Sequence, residues 1–157
     1  PMPARGFTLI EMVVTVAVVA VLAAMAVPVM QVTNQRAKES ELRLALRQLR
    51  EGIDTYKRYS DEGRIARPAD GNGYPPSLQA LVDGVPDARA PGKGRIHVLR
   101  RLPRDPFSAD PSVDAAATWG LRSYASPAEA PAPGADVFDV YSRAPGAGLN
   151  GIPYREW

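Results

Sequence analysis

Residues 12–30 read MVVTVAVVAVLAAMAVPVM, 19 residues without a charge and with Thr15 as the sole polar side chain. As a helix they span about 28 Å, close to the hydrocarbon thickness of a bilayer. A helix on a water-facing surface shows polar residues every third or fourth position. This run is apolar on every side, so it belongs in lipid, in a protein core, or in both. The chain has 157 residues, one ordinary domain's worth, and this stretch is withdrawn from whatever globular core the remainder builds. It imitates a secretory signal peptide, with Ala23-Ala24-Met25-Ala26 standing where small residues mark a cleavage site. A more specific pattern lies before the run and argues the other way.

Residues 5–12 read RGFTLIEM. Gly6 has no side chain, so an extended backbone there can approach a peptidase closely. Glu11 is a lone acid at the edge of a membrane-length segment, where ionisable groups are costly and rare unless paired or functional. Gly6-Phe7-Thr8-Leu9-Ile10-Glu11, followed by the apolar run with Pro28 inside it, resembles the prepilin signal. That signal is shared by type IV pilins and the pseudopilins of type II secretion systems. The resemblance implies that residues 1–6 are a leader removed after Gly6 by a membrane peptidase. It also implies that the new terminus, Phe7, is N-methylated and that the apolar helix is kept as a filament core. The sequence opens on Pro1, and the initiator and part of the leader are expected upstream.

Cleavage would make Glu11 the fifth residue, and the resemblance gives it a role: to neutralise the Phe7 ammonium of a neighbouring subunit in an apolar bundle. Two local alternatives stand beside it. Phe7 and Glu11 are spaced to pair within one helix, and the carboxyl can instead snorkel or take up a proton. Pro28 lacks an amide donor and clashes with the preceding turn, so a kink or local opening is expected over residues 24–28, with termination as the alternative.

Residues 32–62 are polar but keep a helical period. Leu42, Ala45, Leu46, Leu49, Ile53 and Tyr56 form one stripe, with Arg43, Arg47, Arg50, Asp54 and Lys57 on other faces. The stripe reads as core. Gly63 is a suitable stop. The expected divisions are therefore a leader over 1–6, a membrane and filament-core helix over 7–31, its amphipathic continuation over 32–62, and a globular remainder over 63–157. Unbroken from Phe7 to Asp61, such a helix measures about 82 Å. Charge counting does not orient the span, since Arg36, Lys38, Arg43 and Arg47 flank one side and Arg5 the other. The resemblance places the C-terminal domain outside the cytoplasm.

Residues 63–157 hold 13 prolines and 11 glycines, the mark of short elements joined by many turns. A loop through Tyr74-Pro75-Pro76 leads into a short helix with Leu78 and Leu81. Strands are expected over Ile96–Leu102, Trp119–Tyr124 and Val137–Ser142. The fold class is α+β, a long N-terminal helix on a small antiparallel β-sheet, pilin-like. The order of pieces, with Leu102-Pro103-Arg104-Asp105-Pro106-Phe107 and then Phe138-Asp139-Val140-Tyr141-Ser142, resembles the major, G-type pseudopilins. Those subunits typically carry a calcium-binding loop after the last strand. Here the tail from Arg143 to Trp157 has one carboxylate, Glu156, whereas calcium takes six to eight oxygens. Asp136 and Asp139 are the weak candidates, no cofactor is otherwise expected, and Asn150-Gly151 reads as a tight turn.

A net charge of +2 with no basic, aromatic-interleaved run gives no sign of nucleic acid, and the absence of cysteine excludes a thiol nucleophile. His97 is the sole histidine, Ser77, Ser108 and Ser123 lack nucleophile-elbow glycines, and Asp105, Asp110 and Asp114 sit in a turn-rich loop. No enzyme is expected. The resemblance implies a single-pass inner-membrane subunit with a periplasmic domain, polymerising into a helical filament to help export folded proteins. The partners implied are further copies, other pseudopilins, a prepilin peptidase and an inner-membrane assembly platform. A pilin of a type IV pilus, major or minor, is the first alternative, and a membrane-anchored periplasmic binding or hydrolytic domain the second.

Overall fold

The computed structural model describes residues 6–90, 92 and 94–157. Residues 1–5 of the expected leader, Arg5 among them, lie outside the described residues. The chain divides into two units, Pro1–Ala37 and Lys38–Trp157, and helix α1 (Leu9–Asp61) contributes to both.

In the first unit α1 opens two residues later than the expected start at Phe7. The Glu11 amide donates to Thr8 Oγ1 (3.3 Å) and the Met12 amide to the Thr8 carbonyl (3.1 Å). Thr8-x-x-Glu11 has the spacing of a capping box, so Thr8 satisfies an amide that the first turn would leave orphaned. The helix passes Pro28 without terminating. Residues 6–34 are exposed throughout, large aliphatics included. Thr15 Oγ1 donates to the Met12 carbonyl (2.9 Å) and Thr33 Oγ1 to that of Val29 (2.9 Å). These hydroxyls are thus satisfied inside the helix, which is what a lipid environment demands.

The second unit is organised by the stripe. Leu42, Ala45, Leu46, Leu49, Ile53 and Tyr56 are all buried, joined by Glu39, Gly52 and Ser60. They pack with Ile65, Leu78, Leu81, Trp119, Val137, Val140 and Tyr154. Gly52 is required by packing: a Cβ there would sit 3.2 Å from Leu99 Cδ1. Gly63 ends the helix at φ 71°, letting the Arg64 amide turn back to the Tyr59 carbonyl (2.8 Å).

Beyond it lies a single helical turn, α2 (Ala80–Asp83), and two antiparallel ribbons. β1 (Val85–Pro86) pairs with β2 (Arg95–Ile96). β3 (Trp119–Arg122) pairs with β4 (Asp139–Ser142), Trp119 opposite Ser142 and Arg122 opposite Asp139. The β3–β4 ribbon agrees with expectation, one to two residues shorter at its ends. The strand expected over Ile96–Leu102 is not formed past Ile96. The Val98 and Leu99 amides both donate to the Leu81 carbonyl at the end of α2 (3.0 and 2.9 Å), so that segment is extended without a strand partner.

Candidate functional site

The N-terminal features meet in one short stretch. Gly6 and Phe7 precede the helix in irregular, exposed backbone, with Phe7 76% exposed. Phe7 therefore does not occupy a helical position from which it would face Glu11, and the in-helix pairing geometry is not formed. Glu11 is exposed in the first turn of α1, where a negative charge is favoured by the helix dipole. No cation among the described residues pairs with its carboxylate. The sequence reading missed Thr8, although the T-x-x-E spacing announces it. Pro28 sits inside α1, flanked by helix on both sides.

The C-terminal candidates are spoken for by protein donors. Asp136 Oδ1 accepts from the Tyr124 amide (2.8 Å) and Oδ2 from Asn72 Nδ2 (2.9 Å). Asp139 Oδ1 accepts from Arg50 Nε (2.8 Å) and the Val140 amide (2.7 Å). Among the described residues no three His, Cys, Asp or Glu side chains converge in a manner that could hold a metal ion. This donor set does not fit calcium, which wants several free oxygens at one point.

Protein groups instead hold the tail. Glu39, 3% exposed, accepts from the Leu149 amide (2.8 Å) and the Tyr154 hydroxyl (3.0 Å). Arg50 Nη2 reaches the carbonyls of Val140 (3.2 Å) and Trp157 (2.7 Å). The Arg43 guanidinium lies over the Trp157 ring at 4.2 Å. The expected turn forms at Gly148–Gly151, closed by the Gly151 amide on the Gly148 carbonyl (2.9 Å), with Ala147 bridging Pro153. Glu39 was not singled out from sequence, yet it is one turn before Leu42 and Arg43 on the same stripe. A buried acid on such a stripe signals a fixed polar partner.

The remaining polar groups serve local structure. His97 Nδ1 lies 2.8 Å from the Val82 carbonyl, against Gly84 at φ 77°, where a Cβ would come within 2.8 Å of the ring. The Ser77 hydroxyl accepts from the Ala80 amide (3.3 Å). Asp110 has its pKa lowered by the Ser112 hydroxyl and amide, and Asp87 by the Arg89 amide first and then Arg64. Burial raises the Tyr56 and Tyr74 phenols.

A lone, fully exposed apolar helix led by Gly-Phe and a single acid, continuing into a helix packed on short antiparallel ribbons, defines the pilin-like class. The family described as the prokaryotic N-terminal methylation motif matches residues 1–27. The type II secretion system core protein G of Klebsiella pneumoniae is 34% identical over 109 residues, 68% of this chain and 71% of that protein. Its namesake in Klebsiella michiganensis is 27% identical over 110 residues, 68% and 70% of the two chains. That of Pectobacterium carotovorum is 32% identical over 110 residues, 68% and 64%. No solved structure gives a significant match. The chain belongs to the type II secretion system core protein G family, the major pseudopilins.

Proposed function

We propose that this chain is a filament-forming pseudopilin that waits in the inner membrane on its apolar helix and is drawn from lipid into a helical filament that helps export folded proteins. The observation that carries this reading is the apolar stretch itself. Its side chains are exposed on every side in the first unit, so their burial must come from lipid or from other chains. The leader is cut after Gly6 by a prepilin peptidase, and Phe7 is then methylated. Glu11, with no partner among the described residues, neutralises the Phe7 ammonium of a neighbour; removing both charges from water separately would be costly. Pro28 loosens the helix backbone within the bundle. The globular unit lies on the periplasmic side, and an assembly platform and other pseudopilins complete the machinery.

The role is structural and needs no catalysis. It needs no cofactor either: Glu39 and Arg50 hold the tail directly, and a chelator is expected to leave thermal unfolding of the unit unchanged. The direct test is Gly6→Ala, read by N-terminal mass analysis from cells that contain the peptidase. The leader is expected to stay on; normal trimming and methylation of that variant would reject the assignment of Gly6 and Phe7.

A further inference from the structure

The tail turn carries an exposed feature that the fold does not use. Leu149 and Ile152 are 47% and 45% exposed, although the turn bearing them is firmly fixed. The Leu149 amide is held by buried Glu39, the Ile152 amide donates to Asn150 Oδ1 (3.1 Å), and the Ile152 carbonyl accepts from Trp157 Nε1 (3.1 Å). Two aliphatic side chains are thus presented to solvent beside a partly exposed indole. Cations surround them: Arg43 over the Trp157 ring, Lys38 over the Phe107 ring at 5.8 Å, and exposed Arg155. Phe107 and Tyr154 stack at 4.4 Å beneath the turn. The acids nearby are Glu39, buried, and Glu156, 3.9 Å from Arg155.

We propose that this turn is an interfacial lipid anchor, seating Leu149, Ile152 and the Trp157 ring in the headgroup layer of an anionic membrane while the chain is membrane-bound. The inference rests on the membrane-anchored reading above. Three observations favour lipid over other occupants. Aliphatic side chains next to Trp and basic residues are the composition of segments that lie in the headgroup zone. The cations complement anionic lipid, at about 1 kcal/mol for each one near the surface. Two half-exposed aliphatics fall far short of the roughly 1,000 Å² that a specific protein interface buries. Connectivity also keeps the turn near the bilayer. Glu39, which binds it, follows Met30 by nine residues, no more than roughly 30 Å of chain even if drawn out fully.

The chain has no cysteine, so single spin labels can be placed cleanly. Leu149→Cys, Ile152→Cys, Val19→Cys and Ala130→Cys variants of the full chain, reconstituted in vesicles, are compared by collision with oxygen and with an aqueous nickel chelate. One vesicle set is phosphatidylethanolamine with phosphatidylglycerol, the other phosphatidylcholine alone. Labels at 149 and 152 should favour oxygen several-fold more in the anionic vesicles, with the label at 130 aqueous in both. Aqueous behaviour at 149 and 152 in both vesicle types, with the label at 19 in lipid, overturns the anchor and leaves the membrane reading intact. An aqueous label at 19 overturns both. Shielding at 149 and 152 that follows protein-to-lipid ratio instead of lipid charge makes a second copy the occupant, and also overturns the proposal.

Discussion

Helix α1 serves its two units in opposite ways. Over residues 9–34 it is apolar on all sides and none of it is buried; over residues 39–60 it is polar on most sides, and one stripe disappears completely into the domain. Secondary structure is the same, but the chain supplies the complement for one half only. The second unit covers Leu42, Leu49 and Ile53 with residues from α2, β3, β4 and the tail. In the first unit a comparable apolar surface has no covering from its own chain. The burial that the hydrophobic effect requires is there intermolecular. A single acid, Glu11, then makes partner choice specific, because an unpaired charge is the one group an apolar bundle does not absorb cheaply.

That contrast can be broken at several points. Glu11→Leu tests it most severely. Filament yield under the electron microscope should collapse, while membrane insertion and the unfolding midpoint of the globular unit stay as in the wild type. A fall in domain stability would mean that the two regions are not energetically separate. Leu49→Ala is the converse. It should cost the domain about 2–5 kcal/mol in urea unfolding, whereas Val19→Ala should leave that transition unmoved.

Glu39→Ala sharpens the account of the tail. It leaves the Leu149 amide and Tyr154 hydroxyl without their acceptor, a loss of roughly 1–3 kcal/mol, while Glu39→Gln, which keeps a carbonyl oxygen there, should lose less. Equal losses would show that the charge, rather than the hydrogen bonds, fixes the tail.

The smallest effect is acid sensitivity. Asp87 and Asp110 have folded pKa values below their ordinary ones, so the unfolded chain takes up their protons first. Their stabilisation is complete above the unfolded value of about 4. It fades as pH falls through the lower folded values. The melting midpoint should be flat through neutrality and decline below about pH 4, less steeply in Asp110→Asn.

Much of this was legible in the sequence because it depends on local period and composition. The stripe from Leu42 to Tyr56, the stop at Gly63, the β3–β4 ribbon and the Asn150-Gly151 turn all follow from spacing. The strand past Ile96 was misread because apolar residues at Val98, Leu99 and Leu102 suit an extended segment that packs on α1 and α2 as well as one that pairs. Only a neighbouring strand distinguishes the two, and none comes there. Glu39 was passed over because its partners, Leu149 and Tyr154, are more than a hundred residues away. At the N-terminus the motif was clear, but the cap at Thr8 was hidden behind the more conspicuous glycine and acid.

The central claim is that the exposed apolar half of α1 is closed by copies of itself. Its most direct test is electron microscopy of the trimmed chain made alongside its secretion machinery, with the N-terminus of the same sample verified by mass. Helical filaments whose subunits begin at methylated Phe7 are the predicted result. A correctly trimmed chain that remains single in the membrane at every expression level would contradict it.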